Sequence, residues 1–256
     1  MEKPIDYWKE IYTRHSQTDI YKRKVEKTVE ILNELFDLKI KTYGSISGGK
    51  DSTCIMDLLY KLDNNFQFVT EKDDMDFPEE IPFIKSFIQK GYKIDIITPP
   101  IKLWDVINEY NFCEDIHSKG TNFSDQFFYG LLKKYQKDNK YKAVILGLRA
   151  EESKGRLMNF KKNGHIYYNK TWKQIVCQPI AHWLAKDVFA YLFSENLSIL
   201  PIYFMSKFVD SPENIRKSWI LPSAQANKGQ GIWLKYYYPE LFQKLCEKMP
   251  QLRCYV

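Results

Sequence analysis

Two adjacent glycines between an apolar run and a helical run constrain this chain more than any other feature. The stretch reads Ser47-Gly48-Gly49-Lys50-Asp51-Ser52, and it lies between the apolar residues 40–46 and the helical pattern of residues 53–60. Adjacent glycines let the backbone turn sharply and approach a ligand, because no Cβ intervenes. The free N–H groups at the start of the next helix favour an anion. The pattern therefore predicts a strand, a phosphate-binding turn and a helix.

The residue after Lys50 indicates which kind of turn this is. Residues 44–50 fit G-x-x-x-x-G-K, but Asp51 stands where the common P-loop needs a Ser or Thr to hold Mg²⁺. A carboxylate beside bound phosphates is repelled unless a cation lies between them. The alternative is a glycine turn that binds no ligand. Turn chemistry alone, however, does not require Lys50, Asp51 and two serines together.

Composition and charge limit the class of protein. The chain has 256 residues, of which 44% are hydrophobic, enough for a substantial core. Its net charge of +6 suits an anionic ligand but is too mild to imply nucleic acid by itself. Neither a secretory signal nor an apolar run of membrane-spanning length is present. We therefore expect a soluble, cytoplasmic protein.

Residues that commonly bind metals are scattered. The cysteines show no C-x-x-C spacing, so we expect no zinc ribbon, redox pair or iron–sulfur cluster; they are Cys54, Cys113, Cys177, Cys246 and Cys254. His117, His165 and His182 lack metal-binding spacing. An acidic stretch could coordinate Mg²⁺ with a nucleotide or form a charged surface loop; its members are Asp73, Asp74, Asp76 and Glu79.

Strand and helix patterns alternate along most of the chain. The strands are expected at residues 40–46, 66–70, 93–98 and 141–148, with a hairpin at 164–175 and a last strand at 175–179. Helices are expected within 4–38, at 53–60, from 77–80 to about 90, at 181–192, and around 103–110 and 127–135. This alternation predicts an α/β fold with a doubly wound, mainly parallel five-stranded sheet. We divide the chain into an N-terminal helical arm (1–39), a nucleotide-binding domain (40–200) and a helical, aromatic-rich C-terminal cap (201–256).

A second charged segment follows the fourth expected strand. It contains Arg149, Glu152 and Arg156, and arginine offers planar paired donors that suit phosphate or sulfate. Glu152 could hold one arginine in place or bind a metal together with Asp51. Taken alone, such a segment is typical of a solvated charged loop. Ligands of open α/β sheets bind at the carboxyl ends of strands, so its position beside the glycine turn favours a phosphate site.

Four blocks, in order, resemble one family. The turn S-G-G-x-D-S is similar to the pyrophosphate loop (PP-loop) of the adenine nucleotide α-hydrolase-like superfamily. Residues 147–156 resemble the G-(I/L)-R-x-x-E-(S/E)-x-x-R signature of the phosphoadenosine phosphosulfate (PAPS) reductase family, which also occurs in the small subunit of sulfate adenylyltransferase. Residues 77–80 resemble its F-P-E-T, and residues 179–188 its P-I-x-x-W-x-x-x-D-V. The resemblance covers about residues 40–205.

The resemblance implies a pocket for ATP or an adenylyl sulfate as substrate. Catalytic roles would fall to Lys50, Asp51, Arg149 and Arg156. Nucleotide-binding roles would fall to Ser45, Ser47, Gly48, Gly49, Lys50, Asp51, Ser52, Arg149 and Glu152. Mg²⁺ would be held at Asp51 through the nucleotide. Independently of the resemblance, the aromatic cap could contact a protein partner, and the pairs Lys133-Lys134 and Lys161-Lys162 could touch nucleic acid or simply solubilise a face.

The end of the chain departs from the family pattern. The reductases carry a catalytic cysteine in a terminal E-C-G-x-H, whereas this chain ends Leu252-Arg253-Cys254-Tyr255-Val256. We therefore favour an enzyme that cleaves ATP at the α-phosphate, giving an adenylylated intermediate and pyrophosphate, in sulfur metabolism or sulfur transfer. The alternatives are a thiol-dependent PAPS or adenylyl sulfate reductase that releases sulfite, and a nucleotide-sensing module without catalysis.

Overall fold

A computed structural model describes residues 3–74, 76–106, 129–217 and 229–256. The α-helices are α1 Ile5–Ser16, α2 Asp19–Asp37, α3 Lys50–Leu62, α4 Glu80–Gln89, α5 Leu103–Val106, α6 Gly130–Asp138, α7 Lys154–Asn163, α8 Ala185–Ser194, α9 Gly231–Tyr237 and α10 Pro239–Lys248. The strands are β1 Thr42–Ser45, β2 Gln67–Glu71, β3 Lys93–Ile97, β4 Ala143–Leu146, β5 Ile166–Asn169 and β6 Gln174–Cys177. Short 3-10 helices include Ala150–Glu152, Pro201–Phe204, Pro212–Asn214 and Pro250–Tyr255.

The strands form one sheet in the order β3-β2-β1-β4-β6-β5. Every neighbouring pair is parallel except β5 and β6, which form an antiparallel hairpin at one edge. The mainly parallel α/β architecture is therefore confirmed, with six strands in place of five. The sixth strand is β5, the first arm of the expected hairpin, which pairs with β6 and so joins the sheet.

The strand order reverses at β1, whose neighbours are β2 on one side and β4 on the other. Open α/β sheets bind ligands outside the carboxyl ends of their strands at such a reversal. Here Ser45 at the end of β1 pairs with Leu146 at the end of β4. The glycine turn and the Arg149 segment therefore leave neighbouring strands at the same edge of the sheet.

A single large core joins the arm, the sheet and the cap. It contains Tyr12 and Leu32 from the N-terminal helices, Phe68 from β2, Phe189 from α8 and Trp233 from α9. A smaller core lies around Tyr43, Leu132 and Val144. Burial of large apolar and aromatic side chains is the dominant stabilising contribution in such a fold. The division into three parts remains a prediction.

Asp187 fastens the N-terminal arm to α8. Its fully buried carboxylate accepts hydrogen bonds from His15 Nε2 at 2.7 Å, Lys24 Nζ at 2.5 Å and the Leu184 N–H at 2.6 Å. Burial alone would raise the pKa of this carboxyl, but the hydrogen bonds from His15 and Lys24 hold it below the ordinary value. The polar first helix is therefore packed onto the domain in this structure.

Several expected features fall outside the described residues. They are Cys113, His117, residues 107–110 of the helix expected around 103–110, residues 127–128 of the helix expected around 127–135, and residues 218–228 of the cap. Within the described ranges, Leu103–Val106 and Gly130–Asp138 are helical as expected. No helix in those ranges is both long enough and apolar enough to cross a membrane.

Candidate functional site

The two positions of the turn require glycine for different structural reasons. Gly48 has φ +78, a left-handed conformation that other residues adopt at a cost, and a Cβ there would lie 3.2 Å from Ile84 Cδ1. Gly49 precedes α3, and a Cβ on it would lie 3.0 Å from the Tyr203 hydroxyl oxygen. The first glycine thus permits the turn, and the second permits close approach of another group.

The two serines of the turn hold its shape. The Ser47 N–H donates to Ser52 Oγ at 3.2 Å, and the Gly49 N–H donates to Ser47 Oγ at 3.3 Å. Ser52 Oγ in turn donates to the Gly49 carbonyl at 2.9 Å. Ser45 lies just before the turn, at the end of β1.

Tyr203, which the sequence did not single out, lies over the start of α3. Its hydroxyl accepts the Lys50 N–H at 3.0 Å, and Lys50 Nζ lies 5.0 Å from the centre of its ring. Burial raises the pKa of this phenol, so it stays protonated. Because the hydroxyl accepts from Lys50, its own proton is available to an oxygen of a ligand.

Two lysines converge on the backbone of the turn. Lys72 Nζ and Lys217 Nζ donate to the Ser47 carbonyl at 3.2 and 2.6 Å, and both contact the buried Glu80 carboxylate, at 2.6 and 2.5 Å. Burial lowers the pKa of the Lys217 ammonium, and Lys72 beside it lowers that pKa further. Glu80 is held ionised between the two cations, which keep its pKa low despite burial. This cluster of Lys72, Lys217 and Glu80 anchors the turn through the Ser47 carbonyl.

The arginine segment meets the glycine turn directly. Arg149, which is 3% exposed, pairs through Nε with Asp51 and through Nη1 with Glu151. Lys50 Nζ lies 3.2 Å from the other oxygen of Asp51. Glu152 pairs with Arg156 and accepts the Arg149 N–H at 3.1 Å. Of the two roles considered for Glu152, holding the arginines is the one these contacts support.

These groups surround a cleft of about 320 Å³. Its lining combines cations and carboxylates from the turn, the arginine segment, the start of α8 and the cap: Lys50, Arg149, Glu151, Glu152, Ala185, Glu213, Asn214 and Arg216. Arg216 donates to the Glu152 carbonyl at 3.0 Å. Three cations and three carboxylates thus line one cavity. Each of the carboxylates already has a partner, and the N–H donors of the cations are of the kind that bind phosphate oxygens.

The described residues offer no ready set of metal ligands. No group of three or more His, Cys, Asp or Glu side chains in the described ranges is arranged to hold an ion. Asp74 accepts the Leu103 N–H at 2.8 Å, and Glu79 accepts the Tyr238 hydroxyl at 3.2 Å. Both oxygens of Asp51 already contact cations. Mg²⁺ at Asp51 through a nucleotide stays a prediction, and it would have to displace one of those contacts.

The described cysteines differ in accessibility. Cys54, Cys177 and Cys246 are buried, and burial raises the pKa of the Cys54 and Cys177 thiols. A thiol needs exposure and a lowered pKa to act as a nucleophile. Cys254 is exposed on the terminal 3-10 helix, which packs on α9 and α10.

Gly147 allows β4 to approach the start of α3. A Cβ there would lie 2.8 Å from the Asp51 carbonyl oxygen and 2.9 Å from the Ser52 nitrogen, both rigid backbone atoms. We expect Gly147→Ala to lower the free energy of unfolding by about 1–3 kcal/mol, as overpacking does, measured by urea denaturation. Gly155→Ala is the control, because a Cβ at Gly155 has nothing nearer than 4.0 Å. Equal stability of the two variants would contradict the close approach.

The residues around the cleft match a known family. The family model described as the phosphoadenosine phosphosulfate reductase domain covers residues 41–210, which include every block around the cleft except the segment of Glu213, Asn214, Arg216 and Lys217. The chain belongs to this PAPS reductase domain family. Residues 47–52, which resemble the family's PP-loop, lie at the switch point of the sheet.

Curated relatives of this PAPS reductase domain protein are distant. It is 26% identical over 247 residues to an uncharacterized protein, MJ0973, of Methanocaldococcus jannaschii, covering 92% of this chain and 54% of that one. It is 25% identical over 202 residues to sulfate adenylyltransferase subunit 2 of Mesorhizobium japonicum, covering 70% and 65%. The chain thus spans about half to two-thirds of the length of these relatives.

Solved structures support the same fold. A phosphoadenylyl-sulfate reductase from Candida auris, in a phosphate complex, superposes with a TM-score of 0.56 at 12% identity, covering 82% of this chain and 97% of that one. A U34-tRNA thiolase from Methanococcus maripaludis, which carries a 4Fe-4S cluster, gives a TM-score of 0.52 at 15% identity, covering 91% and 79%. These likenesses concern the fold.

Proposed function

We propose that this protein binds ATP with its phosphates on the PP-loop and acts at the adenylyl group, releasing pyrophosphate. The observation that carries the proposal is the convergence of Lys50, Arg149 and Arg216 on one cleft at the switch point. Relatives named sulfate adenylyltransferase subunit 2 support chemistry of this type in sulfur metabolism.

Residues around the cleft would have distinct roles in the proposed reaction. An acceptor attacks the α-phosphorus, the bond from that phosphorus to the bridging oxygen breaks, and pyrophosphate leaves. Lys50 and the PP-loop would hold the leaving pyrophosphate, while Arg149 would neutralise charge that develops on the α-phosphoryl oxygens. Tyr203 would donate its hydroxyl proton to a phosphate oxygen. Asp51 would orient Arg149 and Lys50, which it contacts.

Lys50→Ala tests the proposal. We expect ATP affinity, measured by calorimetry, to fall about 10- to 100-fold, because the variant removes a buried ammonium that would donate to phosphate. Pyrophosphate release should fall with it. Lys85→Ala, an exposed change on α4, is the matched control and should bind ATP normally. Equal ATP affinity of the two variants would overturn the assignment of the PP-loop as the phosphate site.

The reductase alternative can be distinguished from ATP cleavage by its product. A reductase would release sulfite from adenylyl sulfate or PAPS when a thiol is supplied, and Cys254→Ser would abolish that release. The exposed position of Cys254 keeps this test meaningful, since the other described cysteines are buried. A nucleotide sensor would bind ATP and yield neither pyrophosphate nor sulfite.

A further inference from the structure

The charge of this protein is concentrated in one segment. Between Ser153 and Lys186 there is no acidic residue, and seven residues are basic: Lys154, Arg156, Lys161, Lys162, Lys170, Lys173 and Lys186. This segment has a formal charge of +7, whereas the whole chain has +6. The remaining residues therefore sum to −1, and the modest net charge conceals a strongly basic region.

The segment forms one edge of the fold, which we call the basic edge. It consists of α7, the hairpin of β5 and β6, and the link to the start of α8, with β5 as the edge strand of the sheet. Its six lysines are exposed, and none forms a salt bridge with a described carboxylate. Helix α7 has no buried residue. A helix without a buried face gains little from packing within this chain.

Apolar and aromatic side chains are interleaved with these lysines. Met158 on α7 is 71% exposed, and Tyr168 on β5 is 60% exposed. Trp172, in the turn of the hairpin, is partly exposed and contacts the ring of Tyr129. Lysines without carboxylate partners beside accessible rings are the combination that binds single-stranded nucleic acid, because the cations follow the backbone and the rings stack on bases.

The basic edge begins at the rim of the cleft. Arg156, in the first turn of α7, pairs with Glu152, which lines the cleft. At the other end of the segment, Ala185 lines the same cleft and Lys186 follows it. A strand bound along this edge would therefore pass the mouth of the nucleotide site.

We propose that the basic edge binds single-stranded nucleic acid and, resting on the proposed function, presents it as the acceptor at the cleft. The binding itself does not depend on ATP chemistry. Binding of the single strand and its use as the acceptor can therefore be disproved separately.

Fluorescence anisotropy of the full chain tests the binding. The probes are labelled single-stranded RNA and DNA of about 16 nucleotides, a length that a site of this size can engage, with a duplex of the same sequence and anionic lipid vesicles for comparison. The test variant is Lys161→Glu, Lys162→Glu, Lys170→Glu. The matched control is Lys85→Glu, Lys90→Glu, Lys93→Glu, three exposed lysines on α4, at its C-terminal end and on the opposite edge strand β3. Both variants change the charge equally.

We expect the native protein and the control variant to bind a single strand with similar affinity. The basic-edge variant should bind at least about 10-fold more weakly, and its slope of log K against log salt should fall by about 2, near 0.7 for each phosphate that is no longer neutralised. ATP affinity should be unchanged in both. Absent binding, equal weakening in both variants, or preference for duplex or vesicles would overturn the proposal. Lys50→Ala should still bind the strand, because Lys50 lies outside the basic edge. Loss of strand binding in that variant would contradict the proposal.

Discussion

Arg149→Ala is expected to lower pyrophosphate release from ATP by about 1000-fold, the scale at which an arginine that neutralises a phosphoryl transition state contributes. The reason is geometric. Arg149 is buried, faces the cleft and touches Asp51 of the PP-loop, so its charge acts in a site shielded from water. The loss should appear in kcat more than in KM, because the charge develops during the reaction.

Two further variants serve as comparisons for the Arg149→Ala measurement. Arg149→Lys keeps the charge but loses the second donor of the guanidinium, and we expect only partial recovery. Arg253→Ala, an exposed change at the end of the chain, should leave pyrophosphate release intact. Thermal unfolding of each variant shows whether the protein is still folded. A folded Arg149→Ala protein with native turnover would exclude this arginine from the chemistry.

Asp187→Ala is expected to lower the free energy of unfolding by about 3–5 kcal/mol, the cost of leaving buried partners without their counter-charge. The variant leaves Lys24, His15 and the Leu184 N–H without their shared acceptor. Urea denaturation followed by circular dichroism measures the change. Asp138→Ala is the control, because Asp138 forms an exposed pair with Lys134 whose loss should cost less than about 1 kcal/mol.

The pH dependence tests the ionisation of the same carboxyl. The pKa of Asp187 is lowered in the folded protein. The contribution of Asp187 to the free energy of unfolding is therefore complete above the unfolded-state pKa of about 3.9, and it is lost as the pH falls through the folded-state pKa. The stability difference between the native protein and Asp187→Ala should therefore narrow below about pH 4. A difference that stayed constant down to about pH 3 would show that folding does not lower the pKa of Asp187.

Local patterns in the sequence were enough to predict the fold and the centre of the candidate site. The apolar run before Gly48, the helical spacing after Ser52 and the alternation of strands with helices each depend on neighbouring residues. Once a parallel sheet is inferred, the meeting of Arg149 with the PP-loop follows from which ends of β1 and β4 lie together. The contact between Arg149 and Asp51 is the side-chain result of that topology.

The missed residues reach the site from distant parts of the chain. Tyr203 and Lys217 contact the PP-loop across 153 and 170 residues, and neither belongs to a local motif. Lys72 was overlooked because a lysine in an acidic stretch is typical of a solvated loop, yet it is 2% exposed and bound to Glu80. Tertiary packing decides these positions, and one sequence contains no signal for it.

The start of α8 joins two systems that lie far apart in the chain. Asp187 accepts the Leu184 N–H, and the next N–H, that of Ala185, donates to Glu151 at 2.6 Å. Glu151 in turn holds Arg149. His15 and Lys24, on the first two helices, are therefore linked to the Arg149 guanidinium through Asp187, two consecutive amides and Glu151.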